Sequence, residues 1–154
     1  MILDFSRIKN SKNLLAFSGG VDSSALFFLL LNHKIDFDIA IVNYNTREQS
    51  KDEIAYALNL AKEYKKEIFI KDVKLENSSN FEKNARDIRY GFFEQIIKEN
   101  SYETLITAHQ LNDRLEWFLM QLSKGAGLVE LFGIREFEEK NDYNIFRPLL
   151  NVSK

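Results

Sequence analysis

Short apolar segments alternate along the chain with longer segments whose apolar residues recur at helical spacing. The apolar segments predict four strands, at residues 13–17, 37–43, 67–71 and 102–107. The other segments predict four helices, at residues 22–33, 51–66, 80–99 and from 109 to about 123. This alternation is typical of parallel βαβ units, and nearly continuous apolar strands suit a sheet covered on both faces. We therefore predict a doubly wound α/β fold with a parallel sheet.

Length and composition indicate one ordinary globular unit. The chain has 154 residues, of which 45% are hydrophobic and 29% are charged. No Gly/Ser-rich or charge-block linker interrupts it, so we predict a single domain over residues 1–154. The first residues lack the apolar core of a secretory signal, and the longest apolar run, residues 25–31, is too short to cross a bilayer. We expect a cytoplasmic protein that does not contact a membrane.

Charge and cysteine content exclude several kinds of chemistry. The net charge is -2, which does not predict binding to nucleic acid by electrostatics alone. The sequence contains no cysteine, so disulfides, thiolate metal sites, persulfide chemistry and cysteine nucleophiles are excluded for this chain. In doubly wound sheets, ligands bind beyond the carboxyl ends of the strands. The loops of interest therefore begin at Ser18, Asn43, Asp72 and Ala108.

The loop after the first predicted strand has the composition of an anion-binding turn. Its sequence is Ser18-Gly19-Gly20-Val21-Asp22-Ser23, and two glycines allow a tight turn that exposes N–H groups at the start of a helix. The structural alternative is a plain turn in which Ser18 or Asp22 caps the helix. The loop has neither the lysine of a Walker loop nor the glycine spacing of dinucleotide folds. Asp22 would repel a phosphate unless a divalent cation lay between them, so a bound nucleotide would imply Mg²⁺.

The strand, the Ser-Gly-Gly-x-Asp-Ser loop and the helix resemble the pyrophosphate loop of N-type ATP pyrophosphatases, the PP-loop superfamily. Four later segments resemble one family within it, the tRNA(Ile)-lysidine synthetases. Residues 42–50 are similar to its Val-Asn-His-Gly-Leu-Arg and following serine, with Tyr44 in place of the histidine. Residues 84–90 look like Ala-Arg-x-x-Arg-Tyr, and residues 107–128 look like Thr-Ala-His-His-x-Asp-Asp-Gln-x-Glu-Thr with Arg-Gly-x-Gly-Leu. Residues 146–150 are similar to the Arg-Pro-Leu-Leu segment that closes the adenylation domain.

The resemblance implies a Rossmann-like adenylation domain that uses ATP and Mg²⁺. The family adenylates the C2 oxygen of the wobble cytidine in tRNA(Ile) with anticodon CAU, and the amine of L-lysine then displaces AMP to form lysidine. Family members continue into further tRNA-binding regions, so we expect most of the tRNA affinity to lie outside residues 1–154. The sequence leaves open whether the protein forms a homodimer.

Site roles follow from the same resemblance. Backbone amides from Ser18 to Ser23 are expected to hold the pyrophosphate, and Asp22 and Asp113 to hold Mg²⁺. Two further residues, Arg89 and His109, are expected to stabilise charge on phosphate or on the adenylated base.

Three residues of these motifs also have purely structural interpretations. Arg89 could form an ion pair with a nearby carboxylate, or lay its aliphatic stem along apolar surface with its charge in solvent. Glu116 is predicted to share a helix face with His109 and Asp113, and that face could be polar simply because it is exposed to solvent. Ser50 is predicted to be a helix N-cap.

Two other functional classes fit part of the pattern. One is a different ATP pyrophosphatase, either a tRNA thiolase or an amide-forming synthetase. The missing cysteine speaks against cysteine-using thiolases, and residues 109–128 speak against the amide-forming enzymes. The other is a noncatalytic ATP-binding module.

Overall fold

The computed structural model describes residues 3–44, 49–73, 81–108 and 135–150. After a short 3₁₀ turn at Ser6–Ile8, the elements are β1 Asn13–Ala16, α1 Val21–Asn32, β2 Phe37–Asn43, α2 Gln49–Glu63, β3 Ile68–Asp72, α3 Phe81–Asn100, β4 Thr104–Ile106, β5 Phe137–Glu139 and β6 Asn144–Phe146. The four predicted strands and the first three predicted helices are confirmed, with ends that shift by a few residues. The helix predicted from residue 109 lies outside the described residues.

The six strands form one sheet in the order β3-β2-β1-β4-β6-β5. All neighbouring pairs are parallel except β5, which runs antiparallel to β6 at one edge. The order reverses at β1, whose neighbours are β2 on one side and β4 on the other. The predicted doubly wound parallel sheet is confirmed, and β5 and β6 were not predicted from the sequence. The reversal between β1 and β4 is the place where such sheets bind ligands.

Apolar side chains cover both faces of the sheet. Leu15 and Ile106 point into a core layer with α1 and α2, whereas Leu14 and Leu105 point into the opposite layer with α3. Because neighbouring residues of a strand point to opposite faces, the continuous apolar strands of the sequence serve two layers at once. No helix in the described ranges combines the length and the apolar character needed to cross a bilayer.

The segment after β6 closes the sheet beside β4. The Thr107 N–H donates to the Phe146 carbonyl at 3.0 Å, so the carboxyl end of β4 is tied to β6. Arg147 is buried and donates to the Arg135 carbonyl at 2.8 Å and to the Glu138 carboxylate at 3.3 Å. Burial raises the pKa of Glu138, but Lys140 and Arg147 more than offset this and lower it overall. These contacts fix the sheet edge next to the ligand-binding end.

Candidate functional site

A cavity of about 490 Å³ lies beyond the carboxyl ends of the central strands. Its wall includes residues at the carboxyl ends of three strands and just after them: Ala16 and Phe17 for β1, Val42 and Tyr44 for β2, and Thr107 and Ala108 for β4. The α3 helix contributes Arg89, Tyr90 and Phe93, and α2 contributes Glu53. The cavity therefore lies at the point where the strand order reverses, as expected for a doubly wound fold.

Two serines stabilise the loop between β1 and α1. The Ser23 hydroxyl accepts from the Ser18 N–H at 3.2 Å and lies 3.0 Å from the Ser18 hydroxyl oxygen. The Ser18 hydroxyl in turn accepts from the Gly20 N–H at 3.2 Å. Gly20 is the N-cap of α1, and no side chain caps the helix there. The alternative in which Ser18 caps the helix is therefore wrong, because Ser18 bonds within the loop.

Gly19 has two independent reasons to be glycine. Its φ is +82°, in the left-handed region that side chains disfavour. A Cβ at this position would also lie 2.8 Å from the Glu53 Cβ, closer than two carbons can approach. The loop and the amino-terminal part of α2 thus pack against each other through Gly19.

Four of the six loop residues, Ser18, Gly20, Asp22 and Ser23, lie on the cavity wall. Gly19 and Val21 are not part of the wall, and Val21 is 85% exposed. Asp22 is in the first turn of α1, whose amino terminus provides partial positive charge. The loop thus presents a helix amino terminus and one carboxylate to the same space.

Arg89 is the cation of the described cavity wall. Its guanidinium carbon lies 5.6 Å from the centre of the Tyr90 ring. Within the described ranges, no carboxylate lies within 4.0 Å of the guanidinium nitrogens. The ion pair considered from the sequence is therefore not observed there. An arginine held by neutral neighbours retains its capacity to bind an anion.

Tyr44 lies beside Arg89 at the end of β2. Its hydroxyl donates to the Ala85 carbonyl at 3.1 Å. Burial raises the pKa of Tyr44, while the positive charge of nearby Arg89 opposes the increase. The side chain thus connects the sheet to α3 within the cavity wall.

Sequence reasoning did not assign Tyr44 or Glu53 to the site. Tyr44 follows a predicted strand, which is a usable signal, whereas Glu53 lies inside a predicted helix and carries no local signal for a site. The N-cap prediction for Ser50 is wrong, because α2 begins at Gln49 and Ser50 is buried in its first turn.

Three residues predicted from the sequence, His109, Asp113 and Glu116, lie outside the described residues. Thr107 and Ala108, which directly precede His109, are on the cavity wall. Among the described residues, no group of three or more His, Asp or Glu side chains could hold a metal ion. The predicted pair of Asp22 and Asp113 therefore stays a prediction.

The class to which the chain belongs follows from a family model described as the PP-loop domain, which matches residues 2–154. The chain belongs to this family, and membership implies that it uses ATP.

Curated proteins that are more than half identical to the chain share one name. The chain is 56% identical over 147 residues to the tRNA(Ile)-lysidine synthase of Campylobacter jejuni strain RM1221, covering 96% of this chain and 46% of that protein. It is 54% identical over 147 residues to the tRNA(Ile)-lysidine synthase of Helicobacter pylori strain 26695, covering 96% and 44%. The chain spans less than half the length of these curated relatives.

A solved structure supports the fold. The chain resembles the U34-tRNA thiolase NcsA from Methanococcus maripaludis, solved with its [4Fe-4S] cluster, with a TM-score of 0.75 and 22% sequence identity. The match covers 99% of this chain and 56% of the thiolase chain. At this identity the likeness concerns the fold alone.

Proposed function

We propose that the chain is the adenylating domain of a tRNA(Ile)-lysidine synthase. In this proposal, ATP adenylates the C2 oxygen of the wobble cytidine in tRNA(Ile) with anticodon CAU, with release of pyrophosphate. The amine of L-lysine then attacks C2 and displaces AMP. The observation that carries the proposal is the cavity in which the glycine loop, the start of α1 and Arg89 face one space. Similarity to curated synthases over nearly the whole chain supports the choice of substrates.

The cavity provides two kinds of phosphate contact. The amino terminus of α1 offers backbone N–H groups and partial positive charge, which favour a phosphate. Arg89 provides a planar, permanently charged group on another wall. Together they would hold the pyrophosphate and neutralise charge that develops as it leaves the α-phosphorus.

Asp22 would hold Mg²⁺ beside the phosphates. Its carboxylate oxygens suit this hard cation, and its place on the cavity wall next to the loop fits the requirement. The ion would supply charge neutralisation on phosphate oxygens. Asp113 is the proposed second carboxylate, and His109 is proposed to assist Arg89 in stabilising charge.

This mechanism needs no covalent nucleophile from the protein. The attacking groups are a cytidine oxygen in the first step and a lysine amine in the second. The contribution of the domain is to hold the reacting groups in line and to stabilise charge. We expect most of the tRNA contacts to lie outside residues 1–154.

The second candidate function is tRNA thiolation by a related ATP pyrophosphatase. The likeness to a U34-tRNA thiolase favours this candidate at the level of the fold. The absence of cysteine from the chain speaks against it, because persulfide chemistry needs a thiol.

Pyrophosphate release by the intact protein tests the proposal. We expect pyrophosphate release to require ATP, Mg²⁺ and tRNA(Ile) with anticodon CAU, and release of AMP to require L-lysine in addition. Asp22→Asn should lower the rate of pyrophosphate release by at least about a hundredfold, because Mg²⁺ loses a carboxylate ligand. Release that depends on a sulfur donor would establish thiolation instead. ATP binding without release under any condition would leave only a binding module.

A further inference from the structure

Tyr44 makes a contact that joins two separate elements of the cavity wall. It follows the last residue of β2, and its hydroxyl donates to the backbone carbonyl of Ala85 in α3 at 3.1 Å. The side chain is half-buried and lines the cavity. A side chain from the sheet thus reaches the backbone of the helix that carries Arg89.

The position of this hydrogen bond along α3 is informative. In an α-helix, the carbonyl of residue i accepts from the N–H of residue i+4, so the Ala85 carbonyl belongs to the turn that ends at Arg89. A carbonyl oxygen has a second lone pair, which the Tyr44 hydroxyl uses. Tyr44 therefore holds the one helical turn from which Arg89 projects.

Arg89 depends on neutral groups for its orientation. Its guanidinium carbon lies 5.6 Å from the centre of the Tyr90 ring, Tyr44 lines the same cavity, and no carboxylate among the described residues lies within 4.0 Å of the guanidinium nitrogens. A long side chain without a fixed partner samples several rotamers, which weakens anion binding because order must be gained when the ligand arrives. An oxygen that accepts from the guanidinium without neutralising it would reduce this loss.

We infer that Tyr44 is a positioning residue for Arg89: by hydrogen-bonding to the Ala85 turn and lying beside the guanidinium, it orients that group toward the ATP phosphates. This inference rests on the proposed function, because it takes ATP as the ligand of the cavity. A carboxylate in the same place would orient Arg89 but would also compete with phosphate for it. A hydroxyl orients the guanidinium and leaves its charge available.

A double-mutant cycle on the intact protein tests the inference, with binding of a nonhydrolysable ATP analogue measured by calorimetry in the presence of Mg²⁺. Tyr44→Phe keeps the ring and removes only the hydroxyl. We expect it to weaken binding by about three- to tenfold in the natural background, the loss typical of one hydrogen bond. In the Arg89→Gln background the same substitution should have no further effect, because the group that it positions is gone.

The matched control is Tyr64→Phe. Tyr64 contacts Phe27 and Phe28 outside the cavity wall and is 36% exposed, so binding should equal that of the unsubstituted protein. A second readout is the Nε–H resonance of the Arg89 guanidinium in a nitrogen-15 spectrum. Tyr44→Phe should shift and broaden this resonance without ligand, and Tyr64→Phe should not.

Three results would overturn the inference. Equal losses from Tyr44→Phe with and without Arg89 would show that Tyr44 acts independently. Unchanged analogue binding together with an unchanged Arg89 resonance would show that the hydroxyl positions nothing. A failure of the unsubstituted protein to bind the analogue would overturn the proposed ATP site and this inference together, which separates that failure from the first two.

Discussion

The polar side chains at the two ends of the parallel sheet differ in their partners: those at the amino end bond to other protein groups, and Arg89 at the carboxyl end faces a cavity. At the amino end, the Tyr102 hydroxyl donates to Asp38 at 2.6 Å, and the same carboxylate accepts from the Glu67 N–H at 2.9 Å. The Asn13 amide there donates to two backbone carbonyls, at 3.0 and 2.9 Å. At the carboxyl end, Arg89 lies on the wall of a cavity, and no carboxylate among the described residues is within 4.0 Å of its guanidinium nitrogens.

This difference separates stability from ligand binding within one sheet. Polar groups that satisfy one another inside the protein each contribute on the order of 1 kcal/mol to stability. A cation that faces a cavity without an anion contributes little to stability, and its interaction energy is realised when a ligand arrives. We therefore expect substitutions at the two ends to affect different measurements.

Gly19→Ala should have the largest effect of these substitutions, because it should disrupt the glycine loop at the carboxyl end of the sheet. The left-handed backbone and the close approach of Glu53 would together lower the free energy of unfolding by about 2–4 kcal/mol. The loop would also lose its contact with α2, so ATP binding should be abolished. Chemical denaturation and calorimetry measure the two effects.

The control for this substitution is Gly91→Ala. Gly91 lies within α3, is exposed, and a Cβ there would meet nothing within 4 Å. Alanine should raise helix stability by about 0.5–1 kcal/mol and leave ATP binding unchanged. Equal behaviour of the two glycine variants would contradict the role given to Gly19.

Arg89→Gln should affect binding without affecting stability. We expect analogue affinity to fall by about ten- to a hundredfold, because a charged hydrogen-bond donor to phosphate is lost. The free energy of unfolding should stay within about 0.5 kcal/mol, since no described carboxylate loses a partner. A large loss of stability would show that Arg89 is structural.

Tyr102→Phe should show the opposite behaviour at the amino end. Loss of the hydrogen bond to Asp38 should lower the free energy of unfolding by about 1–2 kcal/mol, while analogue affinity stays unchanged. Thermal melts and calorimetry on the same samples check both expectations. Weakened analogue binding would mean that the two ends are coupled.

The pH dependence provides a separate check on Tyr102. Burial raises the pKa of Tyr102 above its ordinary value of 10.0, and the hydrogen bond to Asp38 raises it further. The folded protein then retains a proton that the unfolded chain releases, so stability should decline as the pH rises above 10.0. Tyr102→Phe should make this decline shallower. An equally steep decline in the variant would assign it to other groups.

The sequence alone predicts those strands and helices whose hydrophobic pattern is visible within a short segment of the chain. The apolar strands and the helical periodicity placed β1 to β4 and α1 to α3, and two glycines after a strand identified the loop. β5 escaped prediction because two of its three residues are Glu138 and Glu139, and β6 because its three residues, Asn144–Phe146, include only two apolar positions. Such strands are defined by their neighbour in the sheet more than by their own composition.

The site was predicted only in part for a similar reason. Ser18, Asp22 and Arg89 belong to motifs that can be recognised along the chain. The contacts of Glu53 with Gly19 and of Tyr44 with Ala85 join residues far apart in sequence, and no local pattern encodes such an approach.

The pairing of β1 has a consequence for the order in which the molecule can assemble. Asn13 pairs with Phe37, nearby in the chain, and with Thr104, most of the domain away. Bringing distant residues together costs more chain entropy than closing a short loop. We therefore expect β1 to pair with β2, which shapes the glycine loop, before it pairs with β4. Because Thr107 and Ala108 follow β4, we expect ligand-binding ability to arise only when this long-range pairing is complete.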